Sequence, residues 1–137
     1  MLADIENIKL FKLPHFLEDN GDLIVMENLT NIPFKILRVF VVRAPKNAIR
    51  GQHAHLKCTQ FLTCPSGTVN VHCDDGVTKK TFTLDHPNIG LLIPPGIWAQ
   101  QDYKTDNSIL TVLCDRVYEA SDYFREYNLF LEHKSSL

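Results

Sequence analysis

The chain has 137 residues, 45% of them hydrophobic, with 14 basic and 16 acidic side chains. That length suits one compact domain over residues 1–137, and the near balance of charge excludes the basic excess expected of a protein that binds nucleic acid or an anionic membrane. The N-terminus lacks the apolar run of a signal peptide, and no stretch approaches the roughly 20 apolar residues that cross a bilayer. A cytoplasmic protein without nucleic-acid or membrane partners is the simplest interpretation.

Short segments rich in β-branched and aromatic residues recur along the chain, separated by turn-forming pairs such as Asn20-Gly21 and Ser66-Gly67. Within one of them, Val69, Val71 and Cys73 alternate with polar residues, which predicts one strand of a hairpin with a single buried face. The pattern is typical of an all-β sandwich or barrel. In chain order the predicted strand segments are 22–28, 34–44, 60–67, 68–76, 79–85, 89–96 and 108–115.

Only the C-terminal stretch 119–134 has helical character, with Ser121 or Asp122 as a possible cap. Its aromatic residues, including Tyr123, Tyr127 and Phe130, recur at helix-like spacing. We therefore expect a short C-terminal helix packed against the outside of the barrel.

The four cysteines are widely spaced and form no Cys-x-x-Cys pair of the kind that binds zinc or undergoes redox chemistry. Cysteine in β-like segments behaves as a small buried hydrophobe. We expect reduced core thiols, with a catalytic thiol as the alternative, at Cys58, Cys64, Cys73 and Cys114.

His53 and His55 are separated by one residue, so on a strand both imidazoles point to the same face. The surrounding spacing, from Gly51 through this pair to Gln60 and Gly67, resembles the first cupin motif. In that motif Gly-(x)-His-x-His is followed by a carboxylate and a glycine. The resemblance implies a cupin fold, the jelly-roll barrel also called a double-stranded β-helix. Gln60 stands where metal-binding cupins place glutamate.

Residues 90–100, which contain Pro94-Pro95-Gly96, resemble the second cupin motif, whose metal-binding histidine corresponds to Ala99. Alanine offers no donor atom, and an amide is a much poorer cation ligand than a carboxylate. We therefore expect no metal and no cofactor. Proton transfer is the alternative use of His53 and His55, because the imidazole pKa of about 6.5 lets histidine take and give a proton near neutral pH.

Three ordered blocks resemble the dTDP-sugar 3,4-ketoisomerases, which are small WxcM-like cupins. These blocks are residues 50–60, residues 93–98 and the tail Tyr-x-x-x-Asp-Tyr-x-Arg-x-Tyr at 118–127. The resemblance implies an isomerase that converts dTDP-4-keto-6-deoxy-D-glucose to its 3-keto isomer. This reaction is a step toward 3-amino-3,6-dideoxy sugars of surface polysaccharides such as lipopolysaccharide O-antigen. By match to the family motif, His53 is the principal acid/base that moves the proton between carbons, and His55 serves the oxygens or orients the sugar, although the two roles could be reversed.

Five further residues are predicted to bind this substrate. A guanidinium can clamp phosphate oxygens in a bidentate manner, so Arg38 and Arg50 are candidates for the diphosphate, together with Lys57. Arg38 lies in an apolar strand and needs an anionic partner there. Gln60 is expected to hydrogen-bond sugar hydroxyls or a histidine, and Trp98 to stack on the sugar or base unless it is purely structural.

The chain departs from the family pattern at Asn20, where many relatives have arginine, and at Phe40 and Val41, where they often have tyrosine. The resemblance also implies a homodimer in which N-terminal strands pair across the interface. Two other functions fit a cupin: a dTDP-keto-sugar epimerase, and a sugar-binding cupin without catalysis. The residues leave open the stereochemistry at carbon 4 of the product and the identity of the nucleotide.

Overall fold

The computed structural model describes residues 3–136, and nearly all of the regular structure is antiparallel β-sheet. Two short 3-10 turns, Ile5–Asn7 and Ala120–Asp122, and one helix accompany the strands. The strands are β1 (Lys9–Lys12), β2 (His15–Glu18), β3 (Gly21–Ile24), β4 (Arg38–Ala44), β5 (Ile49–His55), β6 (Gln60–Ser66), β7 (Val69–Asp74), β8 (Lys79–Leu84), β9 (Ile89–Ile93), β10 (Trp98–Tyr103), β11 (Ser108–Cys114) and β12 (Tyr123–Phe124), and the helix is α1 (Tyr127–Ser135).

Ten of these strands form two five-stranded sheets, in the orders β1-β9-β6-β11-β4 and β12-β5-β10-β7-β8. β2 and β3 form a separate hairpin. Inward-facing residues of both sheets form one core, which includes Leu62, Val71, Leu91 and Leu110. This arrangement confirms the predicted all-β cupin barrel with a short C-terminal helix.

The predicted hairpin of β7 and β8 is confirmed in detail. Val69 pairs with Leu84 and Val71 with Phe82, and all four side chains are buried, whereas Asn70 on the opposite face is only partly buried. All four cysteines are free and buried, as expected of core thiols. No helix within residues 3–136 is long and apolar enough to span a bilayer.

The C-terminal helix is shorter than predicted. It begins at Tyr127 rather than near residue 121, because Tyr123 and Phe124 pair with His55 and Ala54 as strand β12. Ser121 and Asp122 therefore cap no helix. The carboxylate of Asp122 instead accepts hydrogen bonds from the backbone N–H groups of Lys57 and Cys58.

Candidate active site

A cavity of about 270 Å³, the barrel cavity, opens between the two sheets. Its lining includes Arg38 from β4, and Arg50 and His53 from β5. Side chains from four other parts of the chain complete the wall, among them Gln60, Gln101, Tyr123 and Arg125. The first histidine of the predicted pair therefore lies in a cavity that three guanidinium groups also line.

A β-bulge in β5 places both Arg50 and His53 on the cavity face. Residues three apart on a regular strand point to opposite faces. Here Ala99 of β10 pairs with His53 and the next residue, Gln100, pairs with Gly51, so Gln52 is the extra residue. The bulge uses positive φ angles, +87° at Gly51 and +56° at Gln52. Glycine suits the first of these positions because it has no Cβ to strain.

His53 and His55 lie on one face, as predicted, with ring centroids 5.1 Å apart and the rings almost perpendicular. The pKa of His53 is lowered to about 4, chiefly by burial and also by the neighbouring His55, while a hydrogen bond to the backbone of Gly51 opposes the shift. His53 is therefore neutral at physiological pH and retains a lone pair that can accept a proton.

His55 does not line the cavity but packs beside it. Its Nδ1 lies 2.9 Å from Oδ2 of Asp122, and both side chains are only 7% exposed. Burial lowers the pKa of His55, and the hydrogen bond and charge of Asp122 oppose that shift. Because the carboxylate accepts the Nδ1–H, the lone pair of the neutral ring is on Nε2. That Nε2 is buried and has no hydrogen-bond partner within residues 3–136.

Tyr123 connects the histidines to the arginines. Its ring centroid lies 4.4 Å from that of His55 and 5.2 Å from that of His53. Nη1 of Arg38 donates to the Tyr123 hydroxyl over 3.4 Å, and the guanidinium of Arg125 lies 4.3 Å from the centre of its ring. Tyr123 therefore holds two of the three guanidinium groups beside the imidazoles.

Within residues 3–136 the guanidinium of Arg38 contacts aromatic side chains and no carboxylate. It lies 4.7 Å from the ring centre of Phe40 and 5.1 Å from that of Tyr118, in addition to its hydrogen bond with Tyr123. Ring faces attract cations but leave guanidinium N–H groups free to donate. The arrangement therefore keeps an anion-binding group at the cavity.

Two of the predicted substrate-binding residues are not brought to the barrel cavity. The side chain of Lys57 is exposed, and only its backbone N–H takes part, by donating to Asp122 over 2.6 Å. Trp98 pairs with Asp74 and points to the outer face of its sheet, where its ring contacts Tyr127 and Phe130. Successive residues of a strand face opposite sides of the sheet. Because Ala99 faces inward, its neighbour Trp98 faces outward.

Gln60 points inward, as predicted, and is buried in the cavity wall. Its Nε2 donates to Sγ of Cys114 over 3.8 Å. Ala99 faces inward opposite His53, so the second cupin position supplies no ligand atom there. The donors at the four cupin ligand positions are thus two imidazoles and one amide, a set that does not fit a catalytic metal ion.

One other group of possible metal ligands lies close together within residues 3–136. It consists of His55, Cys58 and Asp122, whose ligand atoms lie within 4.8 Å of one another. Both carboxylate oxygens of Asp122 already accept hydrogen bonds, from the His55 ring and from two backbone N–H groups. The carboxylate of Asp122 therefore serves as a hydrogen-bond acceptor within this group.

Sequence reasoning did not single out Asp122, Tyr123 or Arg125 as functional residues, although all three stand in the tail block that carried the family resemblance. The available signal was that block itself, in which charged and hydroxyl-bearing residues are closely spaced. Because the block was predicted to be helical, these residues were not expected to lie together beside β5.

Comparisons with known proteins identify the family of the chain. A curated relative, the TDP-4-oxo-6-deoxy-alpha-D-glucose-3,4-oxoisomerase of Aneurinibacillus thermoaerophilus, is 33% identical over 126 residues, which is 91% of each chain. The sugar 3,4-ketoisomerase QdtA of Thermoanaerobacterium thermosaccharolyticum, solved in complex with TDP, superposes with a TM-score of 0.92 at 30% identity, covering 97% of this chain and 98% of that one.

A second solved structure, the WlaRB TDP-quinovose 3,4-ketoisomerase of Campylobacter jejuni, superposes with a TM-score of 0.87 at 33% identity, over 93% of this chain and 99% of that one. The family described as FdtA, WxcM-like, C-terminal matches residues 6–135, nearly the whole chain. The protein with this histidine pair and arginine-lined cavity therefore belongs to the WxcM-like, C-terminal family.

Proposed function

We propose that the protein is a TDP-sugar 3,4-ketoisomerase that converts TDP-4-keto-6-deoxy-D-glucose to the 3-keto isomer by metal-free acid/base catalysis. The observation that carries the proposal is a pair of imidazoles whose ring centroids lie 5.1 Å apart, one of them in the wall of a cavity that three arginines also line. Two relatives support the substrate. One is named for a 3,4-oxoisomerisation of this sugar, and a histidine-to-asparagine variant of QdtA was solved with TDP-4-keto-6-deoxyglucose.

The reaction moves a ketone from carbon 4 to carbon 3 through an enediol. A proton leaves carbon 3, another arrives at carbon 4, and a proton is exchanged between the two oxygens. His53 lines the cavity as a neutral base, so it removes the carbon 3 proton and returns one to carbon 4. No redox or hydride step is needed, because the carbon skeleton keeps its overall oxidation state.

His55 serves the oxygens or orients the sugar. Asp122 fixes the ring and its tautomer, so Nε2 carries the lone pair; this atom is buried beside the cavity, and a sugar hydroxyl reaches it only if the cavity wall shifts on binding. The Tyr123 hydroxyl lies beside the same ring and is held by Arg38. These groups give the oxygens polar partners that do not compete with His53 for the carbon-bound proton.

The arginines bind the diphosphate. Arg38, Arg50 and Arg125 all line the barrel cavity, and guanidinium groups match phosphate oxygens in geometry and charge. The cavity, about 270 Å³, lies just below the range of about 300–1,000 Å³ typical of small-molecule sites. It therefore suits the hexose ring, with the diphosphate at the arginine-bearing rim and the nucleoside beyond it.

Incubation with TDP-4-keto-6-deoxyglucose, followed by proton NMR, tests the function directly. We expect new signals of a 3-keto-6-deoxyhexose, with deuterium at carbon 4 when the reaction runs in deuterated water. An inverted ring centre with the ketone still at carbon 4 would indicate an epimerase. An unchanged substrate that still binds would indicate a binding protein. Either result would overturn the proposed isomerisation.

The reaction would supply a precursor for 3-amino-3,6-dideoxy sugars, because a ketone at carbon 3 is the group that a transaminase needs in order to place nitrogen there. This biosynthetic role, like a contribution to O-antigen and the cytoplasmic location, stays a prediction.

We also propose that the protein is a homodimer. The hairpin of β2 and β3 exposes three large apolar side chains, Phe16, Leu17 and Leu23, of which Leu17 is 75% exposed. Val39 and Val41 are likewise exposed on β4, an edge strand of its sheet. An apolar edge invites pairing with another chain, and a second copy that covers it would remove these groups from water.

Sedimentation at micromolar concentration should therefore report roughly twice the chain mass of 15.7 kDa. Leu17→Glu should shift the protein toward the monomer. Val77→Glu, at a site 95% exposed in the turn between β7 and β8, should leave the dimer unchanged. A wild-type monomer at these concentrations would contradict the dimer.

A further inference from the structure

The outer face of the second sheet carries a groove that the isomerisation does not use. It has a volume of about 510 Å³ and lies between β7, β8 and β10 at the edge of helix α1. We call it the outer groove, and its lining includes Asp74, Lys79, Thr81, Trp98, Gln100 and Tyr127. Its volume falls within the range of about 300–1,000 Å³ of small-molecule sites.

Strand β10 separates the outer groove from the barrel cavity. Trp98 and Gln100 pair with Asp74 and His72 and face outward. Ala99 and Gln101, which alternate with them, are buried on the side of His53. The two openings therefore lie on opposite faces of one sheet, and a ligand in one would not touch the lining of the other.

Trp98 forms an aromatic wall of the outer groove. Its ring is partly exposed, with the ring centroid of Tyr127 at 5.3 Å and that of Phe130 at 5.9 Å. The Tyr127 hydroxyl donates to Oδ2 of Asp74 over 2.5 Å, which fixes the tyrosine against the groove. A rigid indole with its surface open to solvent offers an apolar platform for a flat apolar surface of a ligand.

A chain of hydrogen bonds orders the polar side chains beside this platform. Nδ1 of His72 lies 2.7 Å from Oγ1 of Thr81, and Nε2 of His72 lies 2.9 Å from Oδ2 of Asp102. Nε2 of Gln100 donates to the other oxygen of Asp102 over 2.9 Å, and Oε1 of Gln100 accepts from Gln52 over 3.2 Å. Ordered side chains lose little further entropy when a ligand binds.

The outer groove carries charges of both signs, two ammonium groups and one carboxylate. Lys79 is the cross-strand partner of Asp74, so the nearest ammonium and carboxylate oppose each other. The ammonium of Lys80 lies 5.1 Å from the ring centre of Phe82. Beside these charges the lining offers the neutral donors and acceptors of Thr81, Gln100 and Tyr127. Neutral hydroxyl groups, which both donate and accept, match these groups.

We propose that the outer groove is a second ligand site, which binds a neutral pyranose sugar independently of the nucleotide-sugar in the barrel cavity. The apolar C–H face of the pyranose packs on Trp98. Its hydroxyl groups hydrogen-bond with Gln100, Thr81 and Lys79. The site takes the sugar without a nucleotide, because no arginine among residues 3–136 lines it to bind a diphosphate.

The protein offers a direct reporter, because Trp98 is its one tryptophan. Titration with methyl β-D-glucopyranoside, in the presence of saturating TDP to occupy the barrel cavity, should change the tryptophan emission saturably. We expect a dissociation constant on the order of 1 mM. Saturation-transfer NMR on the same mixture should show magnetisation passing from the protein to the ring C–H protons of the glucoside.

Two threonine variants on the same face of β8 provide a matched pair. Thr81 lines the outer groove, whereas Thr83 bonds to Asn70 one row away and does not. Thr81→Ala should weaken glucoside binding about three- to tenfold, the loss of one hydrogen bond, and Thr83→Ala should leave it unchanged. Absence of both the emission change and the magnetisation transfer would overturn the proposal. Equal effects of the two variants, or loss of the signal on adding TDP, would also overturn it.

Discussion

Two histidine–aspartate pairs of almost the same length lie in very different parts of the molecule. Nδ1 of His55 is 2.9 Å from Asp122, a residue 67 positions away, and both side chains are 7% exposed. Nδ1 of His86 is 2.8 Å from its chain neighbour Asp85, and these side chains are 66% and 47% exposed. Distance alone therefore does not identify a functional pair.

Burial and connectivity separate the two pairs. An exposed pair exchanges its hydrogen bond with water and contributes little. In the buried pair, Asp122 also accepts from two backbone N–H groups, so the carboxylate, the imidazole and the end of β5 form one rigid unit. That rigidity is what fixes the orientation of His55 beside His53.

Replacing each aspartate should separate the buried pair from the exposed one by the largest difference in turnover. In Asp122→Asn the amide can present N–H to Nδ1 of His55, which forces the opposite tautomer and takes the lone pair away from Nε2. We expect turnover to fall on the order of 10²-fold, the scale of a misplaced catalytic group. Asp85→Asn should remain within about twofold of the wild type, since its partner is exposed.

Steady-state rates with TDP-4-keto-6-deoxyglucose, at TDP affinities shown to be unchanged, provide the measurement. Equal rates for Asp122→Asn and the wild type would contradict a role of Asp122 in orienting His55, whatever the effect of Asp85→Asn.

The bulge in β5 is the next feature to test. Gly51→Ala places a Cβ at φ +87° and 2.6 Å from Oε1 of Gln101, another cavity residue. We expect a loss of about 1–3 kcal/mol in the free energy of unfolding. A fall in turnover of about tenfold should accompany it, because Arg50 and His53 share the cavity face only through this bulge.

Gly76→Ala is the matched control, at φ +97° in the turn between β7 and β8, where the nearest atom to the added Cβ is 3.5 Å away. Chemical denaturation should show destabilisation of both variants, and only Gly51→Ala should lose turnover. If both lost turnover equally, the effect would be one of stability and not of the bulge.

Moderate acid should have the smallest effect on activity. The pKa of His53 in the free protein is lowered to about 4, so this base stays neutral as the pH falls from 7 to about 5. The value of kcat/KM, which reports the free enzyme, should change less than about twofold in that interval and fall as the pH approaches 4. A decline centred near 6.5, the pKa of a solvent-exposed histidine, would contradict the burial of His53.

The free energy of unfolding should also depend on pH, because the pKa of His53 is shifted. The pKa of His53 is lower in the folded than in the unfolded protein, so between about 6.5 and 4 the unfolded chain binds the proton first. The free energy of unfolding therefore decreases as the pH falls through this window, and His53→Asn should remove that part of the decrease.

The sequence predicted the parts of the site that depend on strand periodicity. His53 and His55 share a face because they lie two residues apart, and Gln60 and Ala99 face inward at the positions of the cupin motifs. Alternating segments such as 69–73 predicted an all-β sandwich or barrel, and the resemblance to the cupin motifs implied the barrel.

What the sequence did not predict depends on contacts between distant residues. Aspartate is a common N-cap residue, which is why the sequence suggested a helix cap at Asp122. Only its contact with a histidine 67 residues earlier makes it part of the site. The bulge at Gln52 depends on pairing with β10, whose polar run Gln100-Gln101-Asp102 carried no strand signal. Trp98 was assigned by its chemistry instead of by the alternation that turns it outward.

His53→Asn removes the group that we propose moves the proton between carbons 3 and 4. Asparagine keeps polarity and approximate size but cannot act as a base near neutral pH. Folding and TDP binding should therefore survive. Turnover of TDP-4-keto-6-deoxyglucose should fall by at least the order of 10⁴, the upper end of general acid–base catalysis. A rate near that of the wild type, with TDP binding intact, would contradict the claim and assign the proton transfer to another residue.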